Sequence, residues 1–120
     1  MNRRQALGQW GEQFAGDYLL ARGYTIIERN VRTPYGEIDL VARQGDTLVF
    51  VEVKTRSSRA FGYPEEAITA KKREHLLRAS QAYLQEHTKT ACDWRIDVIA
   101  IQRSKTEKIP ELKHFENAIT

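Results

Sequence analysis

The stretch GEIDLVARQGDTLVFVEVKTR, residues 36–56, decides the fold. Two β-rich runs, 37–43 and 47–54, flank Gly45-Asp46, and Gly-X is a favoured two-residue hairpin turn. Such a turn sets Gln44 against Thr47, so that Asp39 faces Glu52 and Glu37 faces Lys54. A three-residue turn would set Asp39 against Val51 instead. Side chains alternate between the two faces of a strand. One face then carries Ile38, Leu40, Ala42, Val49, Val51 and Val53, all apolar and expected in the core. The other carries Glu37, Asp39, Glu52 and Lys54 at one end, with Val41, Leu48 and Phe50 nearer the turn.

Outward from the hairpin, residues 4–22 repeat apolar positions at spacings of three and four (Leu7, Trp10, Phe14, Tyr18, with Ala15 and Leu19 beside them) and read as a helix. Asn2 with Gln5 suits its N-cap and Gly23 its end. Residues 24–29 read as a short strand and 30–36 as a loop marked by Pro34 and Gly36. Beyond the hairpin, 55–63 is polar and turn-rich. Residues 64–86 read as one helix opening at Pro64, with Ile68, Leu76, Leu77, Tyr83 and Leu84 as its apolar face. Residues 94–102 form a strong strand and 109–117 a weaker one. The order αβββαββ makes the chain α/β with a mixed sheet.

The chain has 120 residues, enough for one domain but not two. With 41% hydrophobic and 29% charged residues it is too apolar to be disordered. The net charge of +3 permits a polyanionic partner without demanding one. One cysteine, Cys92, excludes an internal disulfide and any multi-cysteine metal site, and it reads as a small filler. His75, His87 and His114 lack paired metal-ligand spacing. Arg3 and Arg4 mimic a signal-peptide n-region, but no apolar segment follows. The longest apolar runs, such as residues 48–51, are too short to span a bilayer, so a cytoplasmic location and no membrane partner are expected.

The polar end of the hairpin is its unusual feature. Facing carboxylates on neighbouring strands repel, so Asp39 opposite Glu52 costs stability unless positive charge lies between them. Lys54 can supply some of it and a divalent cation more. Two carboxylates with nearby carbonyls make an oxygen-rich site suited to Mg²⁺ or Mn²⁺. A strand lysine there can hold an attacking water or stabilise charge on a phosphate. A solvated salt-bridge patch is the alternative reading of the same residues.

The run from Gly36 to Val41 together with Glu52-Val53-Lys54 resembles the core of the PD-(D/E)xK nuclease superfamily, with its restriction-endonuclease-like fold. Wider features are similar to one family within it, the YraN family (UPF0102), related to archaeal Holliday-junction resolvases. They are G8-x-x-G-E12-x-x-A15, GEIDLV, FVEVKTR, A67-I-T-x-x-K72, R95-I-D-V98 and H114-F-E-N-A118. The resemblance implies an αβββαβ core and metal-dependent phosphodiester hydrolysis. It makes Asp39 and Glu52 the metal-binding acids, Lys54 the catalytic lysine, the Val53 carbonyl a third metal ligand and Glu12 a glutamate pointing toward the metal.

Other residues extend the picture. Glu12 lies at the edge of its helix's apolar stripe, where Gly8, Gly11 and Gly16 each cost about 1 kcal/mol of helix propensity but allow close approach to a sheet. Lys72 falls in line with Ile68, Leu76 and Ala79 on an inward face, so it must find an acid or a phosphate, or snorkel out. Arg56 and Arg59, with serines and the rings of Phe61 and Tyr63, suit contact with a phosphate backbone, and Arg29 and Arg32 extend that track. Asp97 reads as structural, paired with Lys72 or Arg95. The expected function is an Mg²⁺- or Mn²⁺-dependent nuclease acting on nucleic acid, DNA ahead of RNA, with branched or single-stranded substrates in view. The alternative is a non-catalytic nucleic-acid-binding module. Cutting both strands of a duplex needs two active sites, which for so short a chain implies a homodimer. The apolar side of the last strand is the candidate seam.

Overall fold

A computed structural model describes residues 1–58, 62–88, 91–104, 106 and 108–120. Five strands form one sheet in sequential order: β1 (Thr25–Thr33), β2 (Gly36–Gln44), β3 (Thr47–Arg56), β4 (Trp94–Gln102) and β5 (Glu111–Ile119). Only β3 and β4 run parallel; the other neighbours are antiparallel. Helix α1 (Arg3–Ala21) covers one face and α2 (Ala70–His87), the crossover between β3 and β4, covers the other. The αβββαβ order, with β5 added at one edge, is compatible with the restriction-endonuclease-like core. Among the described residues no helix is long and apolar enough to cross a membrane.

The hairpin folds as its sequence requires. Gln44 pairs with Thr47 and Leu40 with Val51, and Gly45 takes a φ of 59° at the two-residue turn. The core splits into two layers about the sheet. Ala15, Leu19, Leu40, Ala42, Val49, Val51, Ile99 and Ile101 bury on the α1 side. Val41, Phe50, Leu76, Ala79, Tyr83, Ile96 and Val98 bury on the α2 side. Ile38 departs from expectation, because it joins Val41 on the α2 side and not Leu40. The alternation is reset at Asp39. There the β2–β3 ladder stops, and the Val53 N–H donates to Asp39 Oδ2 at 2.8 Å in place of a backbone carbonyl.

Three boundaries differ from the sequence expectation. β1 continues through the expected loop to Thr33, and Thr33 and Gly36 close a turn in which Thr33 Oγ1 donates to the Gly36 carbonyl at 2.7 Å. A bulge between Ile26 and Glu28 and the left-handed Asn30 (φ 53°) break the period-2 pattern that would have revealed it. The single helix expected over 64–86 is a 3₁₀ turn, Pro64–Ala67, followed by α2. Ile68 and Thr69 are extended between them, and Thr69 caps α2 by accepting from the Lys72 N–H at 3.1 Å. The last strand starts two residues later than expected, leaving Ile109 exposed.

Helix α1 begins with a capping box, in which the Asn2 side chain accepts from the Gln5 N–H and Gln5 Oε1 from the Asn2 N–H. It ends in a Schellman arrangement, with Gly23 at φ 88° and the Tyr24 N–H donating to the Leu19 carbonyl. Its buried line is Gly11, Ala15 and Leu19, and the rings of Trp10, Phe14 and Tyr18 flank it. A Cβ on Gly11 would strike the Thr55 side chain on β3, whereas a Cβ on Gly8 would meet nothing within 4 Å. Gly11→Ala is therefore expected to destabilise the protein by about 1–3 kcal/mol through overpacking. Gly8→Ala should stabilise it by up to about 1 kcal/mol through helix propensity. Chemical denaturation of the two variants reads both; equal shifts would refute the close α1–β3 approach.

Candidate metal and nucleic-acid site

The site forms where β2 and β3 part. Beyond Leu40–Val51 the two strands are no longer paired, while β3 continues beside β4 through Arg56. Asp39 and Glu52 stand on either side of this fork. From the α1 layer comes Glu12, brought close by the bare backbone at Gly11. From the α2 layer comes Lys72, in the first turn after the Thr69 cap.

Carboxylate oxygens of Glu12, Glu37 and Asp39 lie within 4.8 Å of one another, close enough to share one cation. Glu52 stands outside that set. Its side chain is 3% exposed, and Lys54 Nζ and Lys72 Nζ both lie 3.4 Å from its Oε1. Its Oε2 has no hydrogen-bond partner among the described residues. Lys72 thus meets an acid, one of the three outcomes open to an inward lysine here.

The electrostatics follow from crowding. Burial, then the charge of Glu52, push the Asp39 carboxyl from 3.8 up to about 8; the Val53 N–H pulls it down, Glu12 adds to the rise, and Lys72 opposes it. The Glu12 carboxyl is raised too, by burial first and then by Glu37 and Glu52, with Arg29 opposing. Like charges gathered at this density call for a counter-charge. An orphaned, buried carboxylate oxygen beside a carboxyl that cannot easily ionise is what an oxygen-preferring divalent cation would satisfy. The donor set therefore fits Mg²⁺ or Mn²⁺.

Sequence reasoning missed Asn30 as part of the site. Arg29 pairs with Leu40 and Val31 with Ile38, which places Asn30 opposite Asp39. With its amide nitrogen turned toward the acids, Asn30 donates to Glu12 Oε1 at 2.8 Å and to Glu37 Oε1 at 3.0 Å. An asparagine tolerates its left-handed backbone, and that is the only sequence signal it offered.

The remaining expected residues fall elsewhere. Arg56 ends β3, half-buried, and its carbonyl accepts from the Arg103 N–H at 2.8 Å. Arg32 is exposed on β1 opposite Glu37 and lines a cleft of about 400 Å³ shared with Tyr83 and His87 at the end of α2. Arg59 and Phe61 lie outside the described residues. Asp97 is fully buried and pairs with Arg95, its Oδ1 lying 3.0 Å from Arg95 Nε, while Lys72 goes to Glu52.

The model of the uncharacterised protein family UPF0102 matches residues 11–101. A UPF0102 protein of Beutenbergia cavernae is 52% identical over 105 residues, covering 88% of this chain and 89% of that protein. One from Syntrophotalea carbinolica is 47% identical over 97% of this chain and 93% of its own length. One from Caldicellulosiruptor saccharolyticus is 42% identical over 98% and 99%. The matched span runs from the buried Gly11 of α1 to Ile101 in β4 and so holds every residue of the carboxylate cluster; the chain belongs to the UPF0102 family.

Proposed function

We propose that this chain is a divalent-metal-dependent nuclease that hydrolyses phosphodiester bonds in nucleic acid, DNA ahead of RNA, on branched or single-stranded structures. One observation carries the reading: at the β2–β3 fork the buried Glu52 has one oxygen held by two lysines and the other unpartnered among the described residues, close enough to Asp39 and Glu12 for its charge to raise both carboxyls. A salt-bridge patch would have no reason to leave a buried oxygen bare. The αβββαβ order and the Glu-Ile-Asp39 and Glu52-Val53-Lys54 motifs support the same reading through their likeness to PD-(D/E)xK nucleases.

Asp39, Glu52 and the Val53 carbonyl would hold the cation, with Glu12 and Glu37 beside them. When bound, the cation supplies Lewis-acid stabilisation of the charge that builds on the phosphoryl oxygens and makes its water more acidic. Lys54, 27% exposed at the site, keeps its ammonium where it can donate to that water or to a phosphoryl oxygen. Lys72 shares Glu52 Oε1 and limits the net negative charge that an incoming phosphate meets. Asn30 holds Glu12 and Glu37 in one orientation.

The test is cleavage of linear, flapped and branched DNA and of RNA in Mg²⁺ or Mn²⁺, comparing wild type with Glu52→Gln. Wild type should cut and the variant should lose about a thousandfold or more in rate, several kcal/mol of transition-state stabilisation. Equal cleavage by both would remove the site assignment. Binding without cleavage in any divalent metal would leave a nucleic-acid-binding module on the same fold.

A further inference from the structure

Beside the acidic site runs a groove of a different character. It has a volume of about 400 Å³ and lies between the first turns of α1 and the end of β3, starting at Val53 and Lys54. Arg3, Arg4, Lys54 and Arg56 line it, and among the described residues no acid does. Arg56 Nε is shut off from solvent and has no hydrogen-bond partner among the described residues. Four cations around one groove repel each other; Lys54 has Glu52 at 3.4 Å, while among the described residues Arg3, Arg4 and Arg56 have no ion-pair partner.

Arg3 and Arg4 also break a local rule. They occupy the positive end of a 19-residue helix whose first turn holds no acidic residue. Cations there oppose the helix dipole, while acids would gain from it. Departures of this kind concentrate where function sets the residue. Part of the helix end is already satisfied by the Asn2–Gln5 capping box, so the groove's attraction comes from its side chains.

From this geometry we infer that the groove seats the sugar-phosphate backbone of the substrate strand next to the cleaved bond, with Arg3 and Arg4 as its outer phosphate contacts. The inference rests on the nuclease reading for the place of the cleaved bond but not for the binding itself. Val53 and Lys54 belong to both the groove and the acidic site, so one strand can pass from the arginines to the carboxylates without leaving the protein surface. These are backbone contacts, which position a strand and read no sequence.

The experiment measures binding of fluorescein-labelled single-stranded and duplex DNA in EDTA, across a range of NaCl, so that no cleavage intervenes. It compares wild type, Arg3→Ala/Arg4→Ala and a control, Arg43→Ala/Lys108→Ala, which removes two exposed charges outside the groove. The groove variant should bind about tenfold more weakly near 0.1 M salt. Its slope of log K against log salt should be shallower by about 1.5, two phosphate contacts' worth. Its melting temperature should hold or rise, since the dipole conflict is gone. The control should follow wild type. Equal binding by groove variant and wild type overturns the groove, as does an equal loss in the control, and cleavage by wild type would then leave the nuclease reading intact. No binding by wild type overturns it as well. The expected binding loss in a protein that cuts nothing with metal supports the groove and sinks the nuclease reading alone.

Discussion

Asp39→Asn is expected to abolish divalent-cation binding and, in the same protein, to raise the melting temperature measured without metal. The two effects have one cause. Asp39 stands among Glu12, Glu37 and Glu52, and burial, with the charges of Glu52 and Glu12, pushes its carboxyl up to about 8. Without metal the fold is thus strained by a carboxyl whose charged form the proposed cation would favour. Asparagine keeps the shape, and its amide oxygen can still accept from the Val53 N–H, so little packing is lost. Removing the charge should stabilise the metal-free protein by about 2 kcal/mol, the part of about 1.36 kcal/mol per pKa unit that survives screening at a partly exposed site. That corresponds to a rise of about 5–10 °C. Calorimetric titration with Mn²⁺ reads the lost binding, and a melt in EDTA reads the gain. A variant that melts lower and still binds Mn²⁺ would make Asp39 an ordinary structural carboxylate.

The same crowding sets a pH dependence. A carboxyl at about 8 in the folded protein and near 3.8 in the unfolded chain gives the native state more bound protons between those values. Stability without metal therefore falls as pH rises through that window, and below it the contribution is fully retained. Asp39→Asn should flatten this slope.

The hairpin was legible because one short turn dictates everything that follows from it: Gly45-Asp46 sets Gln44 against Thr47, and period-2 alternation does the rest. Legibility ended at Asp39. The rule that sorts side chains assumes an unbroken ladder, and the fork breaks it, so Ile38 changes sides and Asn30 arrives from a strand the sequence hid. Thr69 illustrates a second limit. A helical pattern from Pro64 to Glu86 reads as continuous, yet the threonine's hydroxyl offers the Lys72 N–H a better partner than a helical carbonyl would, and α2 restarts there. The restart places Lys72 in the first turn, facing Glu52. In α1 the sequence displayed the aromatic stripe most loudly, while the line buried deepest is the quiet one, Gly11, Ala15 and Leu19. Small residues carry weak hydrophobic signals and strong packing consequences.

Replacing Asp97 should destabilise the protein more than any surface change, by about 3–5 kcal/mol for Asp97→Ala, or about 15 °C in melting temperature. Its carboxylate is fully buried in β4 and ties that strand to β5. Arg95 Nε reaches Oδ1 at 3.0 Å, the Asn117 N–H donates to the same oxygen at 2.9 Å, and His114 Nε2 lies 2.8 Å from Oδ2. Beyond these, Arg95 donates to the Tyr24 hydroxyl at 2.9 Å, and His114 Nδ1 lies 3.1 Å from the Tyr18 hydroxyl of α1. The left-handed Asn117 (φ 49°) shows what the arrangement costs in β5, where the backbone bends to aim its N–H at Asp97. Removing the carboxylate takes a hydrogen-bond partner at once from a guanidinium, an imidazole and a backbone amide. Despite burial, the hydrogen bonds of His114 and Arg95 hold the Asp97 carboxyl below its ordinary 3.8. Its contribution to stability is therefore present above that value and lost as pH falls through the lower, folded one. Asp97→Asn should melt well below wild type at neutral pH, with the gap narrowing toward acid. A melt of Asp97→Asn that follows wild type at every pH would show that β5 is held by its backbone ladder alone.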